Sequence, residues 1–201
     1  MAARNGRGPR TLVLGGARSG KSMHAESLLA QVDELTYVAT SGERPDDPEW
    51  LGRVELHRAR RPSSWTTVET TDVAAVLLKA GPGDTLLVDC VSLWLAAVLD
   101  DAGTWQDEPG AAAEVGRRCD ELVDAVTSSP ATVVLVSNEV GSGVVPATAS
   151  GRRFRDELGR LNARLAAGCD VVTLVVAGIP VPVKEPDRGS SPEPSAEKER
   201  T

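Results

Sequence analysis

The sequence is poor in aromatic residues: one Phe, one Tyr and four Trp make up 3% of its 201 residues. Any core it forms must therefore be built mainly from Val, Leu and Ala. Basic residues are outnumbered, with 22 Lys and Arg against 29 Asp and Glu and a net charge of −7. A broad basic face for a nucleic-acid polymer or an anionic membrane is excluded by that balance, whereas a small anion held by a local basic cluster is not. Only three cysteines occur, Cys90, Cys119 and Cys169, with no CxxC pair. They support neither a zinc site nor a disulfide framework and read as buried thiols in a reducing cytosol. No apolar run approaches the ~20 residues of a membrane span. The basic start "MAARNGRGPR" is not followed by the apolar core of a signal peptide. The expectation is a soluble cytoplasmic protein with no membrane span and no nucleic-acid partner. Histidine is as scarce, at two residues, His24 and His57.

Hydrophobic residues at 41% and charged residues at 25% are an ordinary globular balance, and the length suits one core. Residues 1–9 are polar and Gly-rich and read as a flexible N-terminus. Residues 185–201, "EPDRGSSPEPSAEKERT", offer almost nothing to bury and read as a disordered tail. A single domain spans 10–184. Within it, short apolar runs at 11–16, 35–41, 65–69, 85–90, 131–141 and 171–178 read as strands. Between them, 20–30, 49–59, 72–80, 91–99, 111–128 and 150–168 read as helices. Strands that are apolar throughout imply a sheet covered on both faces, and their alternation with helices implies parallel βαβ units. The fold class is α/β, a three-layer sandwich with a mostly parallel sheet and ligands at the C-terminal strand edge. Pro182, in "IPVPVK", predicts an edge strand.

The strongest motif is "GGARSGKS", Gly15, Gly16, Ala17, Arg18, Ser19, Gly20, Lys21 and Ser22. It fits G-x-x-x-x-G-K-[ST] between a strand and a helix, and makes the sandwich P-loop NTPase-like. Backbone N–H groups of such a loop wrap phosphate, helped by the positive end of the helix. Lys21 reaches the β- and γ-phosphates, and Ser22 offers its hydroxyl to Mg²⁺. Asp89 ends the apolar run "TLLVDC", where an acid in a P-loop protein meets the same metal. These residues alone say Mg-nucleoside triphosphate. They leave open a P-loop kinase of some small alcohol and a nucleotide-dependent regulatory module.

More specific stretches accompany the loop. "LGGARSGKSMHAE", "YVATS", "RVELHRARRPSSWTTVE", "LLVDCVSLWLAAVL", "VVLVSNEVGSGVVP" and "GRRFRDELGRLNARLA" follow one another in order. Together they resemble the bifunctional adenosylcobinamide kinase/adenosylcobinamide-phosphate guanylyltransferase family over about residues 11 to 184. The resemblance implies phosphorylation of adenosylcobinamide by ATP or GTP. It then implies transfer of GMP from GTP, through a GMP–histidine intermediate, to adenosylcobinamide phosphate. The product is adenosylcobinamide-GDP, in cobalamin biosynthesis. A small homo-oligomer is also implied.

Carried over residue by residue, the family's guanylylated histidine falls on His57. The chemistry agrees. Attack on phosphorus needs a neutral imidazole nitrogen, and neighbouring guanidinium groups disfavour imidazolium. They also suit a triphosphate and its leaving pyrophosphate. Arg58, Ala59, Arg60 and Arg61 match the nucleotide-contacting stretch, and Ala39, Thr40 and Ser41 match contacts at the end of the second strand. Glu69 is placed to accept from guanine N1–H and its 2-amino group, a donor pair adenine lacks. His24 reads as structural. Asn138, Glu139, Arg152, Arg153 and Arg155 fall near the expected cleft, the arginines as possible phosphate ligands, with no role assigned.

Overall fold

The computed structural model describes residues 6–40, 52, 55 and 61–186. Seven strands form one sheet: β1 (Arg10–Gly15), β2 (Thr36–Ala39), β3 (Thr66–Glu69), β4 (Thr85–Asp89), β5 (Thr132–Asn138), β6 (Val171–Val176) and β7 (Ile179–Lys184). Their order across the sheet is β3-β2-β4-β5-β1-β6-β7. All neighbours are parallel except β6 and β7. The helices are α1 (Lys21–Leu28), α2 (Val73–Lys79), α3 (Val91–Asp101), α4 (Ala111–Ser128) and α5 (Ala149–Gly168), with a 3-10 turn at Thr104–Gln106. Each element from the sequence lies within a few residues of its expected span. The helix expected over 49–59 lies outside the described residues, apart from the helical Gly52 and Glu55. So do residues 187–201.

Alternate residues of each strand face opposite ways, so the sheet needs two covers. Leu12, Val38, Leu86, Val88, Val133 and Leu135 pack with α2, α3, α4 and α5. Val13, Tyr37, Leu87, Val134 and Val136 pack with α1. Aliphatic residues carry nearly all of this core, as the scarcity of aromatics requires. The three cysteines are free and buried. Burial pushes the Cys90 and Cys119 thiols up to about 11 and that of Cys169 up to about 12, which keeps them protonated and unreactive near neutral pH. No helix among the described residues is long and apolar enough to cross a membrane.

Backbone pairing extends to the two residues before β1. Gly8 N–H donates to Pro130 O (2.8 Å) and Val133 N–H to Pro9 O (3.0 Å), so this segment runs beside the start of β5. β7 is the edge strand that its prolines predict: Pro180 and Pro182, lacking N–H groups, pair with Val175 and Thr173 on β6.

A helix ends in carbonyls with no partner of their own and a partial negative charge. Neither α4 nor α5 has a basic residue in its last turn. Cations arrive instead from two strands. Arg10, 1% exposed, donates to the carbonyls of Val126, Thr127 and Ser129 at the end of α4. Lys184 Nζ donates to Ala166 O (3.0 Å), Ala167 O (3.1 Å) and Cys169 O (2.6 Å) at the end of α5.

Candidate nucleotide-binding site

The strand register places Asp89, Ala39 and Glu69 level with one another, with Gly15 two residues further along the same sheet edge. Gly15 lies beside Asn138, Asp89 beside Val136, Ala39 beside Asp89 and Glu69 beside Ala39. From β1 to β3 this edge crosses four strand spacings, about 19 Å at about 4.8 Å each, comparable to an extended nucleoside triphosphate.

At one end of this edge, β1 turns through residues 16–20 into α1. Only glycine fits at position 15, because a Cβ there would lie 2.4 Å from Ser19 Oγ and 2.8 Å from Val175 O. Gly20 takes a left-handed φ of 91° immediately before the helix, where a side chain is strained. The turn leaves Ser19 Oγ buried with no hydrogen-bond partner. Lys21 Nζ folds back to donate to Gly16 O (3.2 Å), so its ammonium lies over the loop. The loop is buttressed from behind by the β6–β7 turn, where Ala177 (φ 51°) and Gly178 (φ 82°) are both left-handed, as two-residue hairpins require. Gly178 N–H donates to Ser19 O (2.9 Å).

Asp89, at the end of β4, accepts from the Tyr37 hydroxyl (2.8 Å). Burial first, then the Asp89 carboxylate, hold that phenol protonated far above its usual range. Tyr37 also carries Arg61, whose guanidinium stacks 3.2 Å from the ring centroid. Arg61 Nη1 reaches Thr67 Oγ1 (3.4 Å), while its Nε is buried with no hydrogen-bond partner. Next to Asp89, the Cys90 thiol is pushed up first by burial and then by the Asp89 carboxylate. The phosphate loop follows β1 and Asp89 ends β4, so both lie on the C-terminal edge of the parallel sheet.

The other expected residues fall as follows. The Thr40 side chain is fully buried. Its hydroxyl donates to Cys90 O (2.7 Å) and accepts from Cys90 N–H (3.0 Å), bracing the end of β4 where the sequence reading places a nucleotide contact. His24 is half-buried on α1, and burial lowers its pKa. Glu139 N–H donates to Gly15 O (3.0 Å), and its carboxylate accepts from Gly141 N–H (2.7 Å) and Ser142 N–H (3.4 Å). It therefore shapes the loop leaving β5. Asn138 O accepts from Asn162 Nδ2 (2.9 Å). The α5 arginines bind protein: Arg152 Nη1 donates to Pro146 O (2.9 Å) and Ala147 O (2.7 Å), and Arg153 Nη1 to Thr104 O (2.9 Å) and Asp107 Oδ1 (3.0 Å). Arg155 pairs with Asp156. His57, Arg58, Ala59, Arg60 and Ser41 lie outside the described residues.

Sequence reasoning missed Tyr37. Its only signal was the sole tyrosine of the chain, set within a buried strand. The Gly178 buttress is a contact between segments more than 150 residues apart and left no local signal.

Known proteins share this arrangement. A solved structure of a prototypical ATPase from the type III secretion system of pathogenic bacteria superposes with a TM-score of 0.51, over 84% of this chain and 51% of that one. At 16% identity it shows the fold alone. The bifunctional adenosylcobalamin biosynthesis protein CobU of Escherichia coli (strain K12) is 41% identical over 181 residues, covering 86% of this chain and 98% of the relative. CobP of Pseudomonas aeruginosa, which carries the same bifunctional description, is 42% identical over 180 residues, covering 87% and 97%. The family model for cobinamide kinase / cobinamide phosphate guanyltransferase matches residues 11–183, which takes in every strand end just described, and the chain belongs to that family.

Proposed function

We propose that this chain carries out both reactions of its family, using one nucleotide site, and that it carries GMP on His57 between the two halves of the guanylyl transfer. The observation that supports this most is that Gly15, Asp89, Ala39 and Glu69 all lie along one C-terminal sheet edge, which gives a triphosphate a phosphate end and a base end.

In the kinase step, the loop from Gly15 to Ser22 binds the β- and γ-phosphates and Lys21 supplies positive charge as the γ-phosphoryl group leaves. The acceptor is the hydroxyl of the cobinamide aminopropanol arm. Ser22 and Asp89 are the residues that would hold Mg²⁺. They are oxygen donors, the chemistry this ion prefers, and a bound ion would neutralise phosphate charge. Tyr37 orients the Asp89 carboxylate through its hydroxyl. In the transferase step a ring nitrogen of His57 attacks the α-phosphorus of GTP. An N–P bond forms, the bond from that phosphorus to the bridging oxygen breaks, and pyrophosphate leaves. An oxygen of cobinamide phosphate then attacks the same phosphorus, and the imidazole departs with its electron pair. Arg61, four residues after His57 in the sequence, is held on Tyr37. The exposed apolar residues Ile179, Val181 and Val183 on edge strand β7 support a homo-oligomer.

Incubation with Mg-GTP in the absence of corrinoid tests the intermediate. The protein mass should rise by one GMP unit, with the modification mapping to His57. The bond should be labile to acid and stable to alkali, as a phosphoramidate is. An unchanged mass, or a label on another residue, would sink the reading.

Glu69 is proposed to read the guanine base from the end of β3. Glu69→Gln keeps one acceptor and loses the charge, so KM for GTP should rise about tenfold or more, the scale of a charged hydrogen bond. KM for ATP should move little. Equal changes for both nucleotides in steady-state assays would remove Glu69 from base recognition.

A further inference from the structure

The phosphate loop can hold only the reactive end of a cobinamide. The macrocycle behind it is broad, with apolar faces and a fringe of amides, and needs a wide apolar floor. We propose that the groove lined by Trp105, Ser150, Gly151 and Phe154 is the corrin-binding site. This inference rests on the cobinamide reading above and adds the place where the ring docks.

Three observations carry it. The first is the distribution of aromatic rings. Among the described residues Tyr37, Trp65 and Trp94 are buried, at 2%, 8% and 3% exposure, and each has a structural partner. The two aromatic rings left half-exposed, Trp105 and Phe154, come from elements almost fifty residues apart and line the same groove. Such rings provide large apolar contact area with little conformational entropy to lose. A chain with so few aromatics places these two where they are only partly covered.

The second is construction. The groove is an open volume of about 470 Å³, within the roughly 300–1,000 Å³ of small-molecule sites. Its walls are tied together by polar contacts that leave the rings available. Arg153 bridges from α5 to Thr104 O and Asp107, which holds the 3-10 turn against the helix. The Trp105 indole N–H is satisfied by Asp100, and both rings rest on the main core. The floor is therefore fixed before any ligand arrives.

The third is continuity with the nucleotide site. α5 begins on the C-terminal side of the sheet, because β5 and β6, which it joins, both run parallel to β1. The 139–148 loop links the two places. At one end Glu139 N–H bonds Gly15 O at the start of the phosphate loop. At the other, Thr148 caps α5 by accepting from Gly151 N–H, in the groove wall. Val144 and Val145, 96% and 59% exposed, stand along this path and extend its apolar character. A ring seated on Trp105 and Phe154 could then send its aminopropanol arm along the loop toward Lys21. The base end of the nucleotide lies on the opposite side, at Glu69, so the two substrates do not compete for space.

Trp105→Ala and Trp105→Phe variants test the proposal. Cobinamide affinity is measured by equilibrium dialysis without nucleotide, and KM for cobinamide and for cobinamide phosphate in the two assays. Protein–GMP formation from Mg-GTP is followed in parallel. Trp105→Ala should weaken cobinamide about tenfold or more, through lost aromatic contact. It should raise both corrinoid KM values alike, and leave KM for GTP and the yield of protein–GMP unchanged. Trp105→Phe should restore most of the affinity. Normal protein–GMP formation with unchanged cobinamide affinity in Trp105→Ala overturns the groove assignment while the guanylyltransferase reading stands. A changed oligomeric state with unchanged cobinamide affinity also overturns it, and makes the groove a contact between copies. Failure of the unaltered protein to form the adduct strikes the underlying reading instead.

Discussion

His57→Ala should abolish the protein–GMP adduct and reduce guanylyl transfer by at least ~10⁴-fold, the scale seen when a covalent nucleophile is removed. Cobinamide phosphorylation should persist at a substantial fraction of its rate, because a hydroxyl acceptor attacking a γ-phosphate needs no protein nucleophile. The asymmetry is the informative part. A variant that merely misfolded, or lost nucleotide binding, would lose both activities together. Mass spectrometry after Mg-GTP treatment, with the two activities assayed on the same preparation, checks it. Transfer of GMP that survives in His57→Ala would mean direct attack of substrate on GTP and would remove the intermediate. His24→Asn provides the internal control: it replaces the chain's other imidazole, half-buried on α1, and should still form the adduct.

Lys21→Ala should impair both reactions, each by about 10²–10³-fold, the loss typical when one preorganised charge or donor is removed from a developing anion. The Lys21 ammonium already lies over the loop, hydrogen-bonded to Gly16 O. No large rearrangement is needed for it to meet phosphate. Lys21→Arg should not rescue fully, since a planar fork does not replace a compact point charge at that place. Steady-state rates with the melting temperature as a fold control settle the outcome. Full activity of Lys21→Ala in both assays would take the phosphate loop out of the mechanism. Loss of one activity alone would show that the two reactions use separate nucleotide sites.

The parts of this molecule written in local patterns were legible. The phosphate loop was read from spacing alone, since Gly15 and Gly20 sit where a Cβ or a negative φ would not fit. Asp89 was read from its place at the end of an apolar run, and the parallel sheet from the alternation of such runs with helices. What escaped depends on distant partners. Tyr37 looks like any buried strand residue until β4 brings Asp89 to its hydroxyl and Arg61 folds onto its ring. The sequence assigned Arg152 and Arg153 no role. The structure commits them to loop carbonyls and Asp107, because a long loop before α5 and a turn before α4 need tying down. The bracing of β4 by the Thr40 hydroxyl through Cys90 likewise depends on a distant partner.

Arg10 and Lys184 open the first strand and close the last, and each terminates a long helix that belongs to neither strand. The chain's two ends are thereby made interdependent with its middle. Loss of either strand would strip the last turn of its helix of those donors, and melting of either helix end would leave a strand cation without its carbonyl partners. Partial unfolding from the termini, the usual weak point of a domain, is coupled here to loss of the whole. Backbone amides in the final turns of α4 and α5 should then exchange with solvent near the rate of global opening, not at the faster rate of frayed ends.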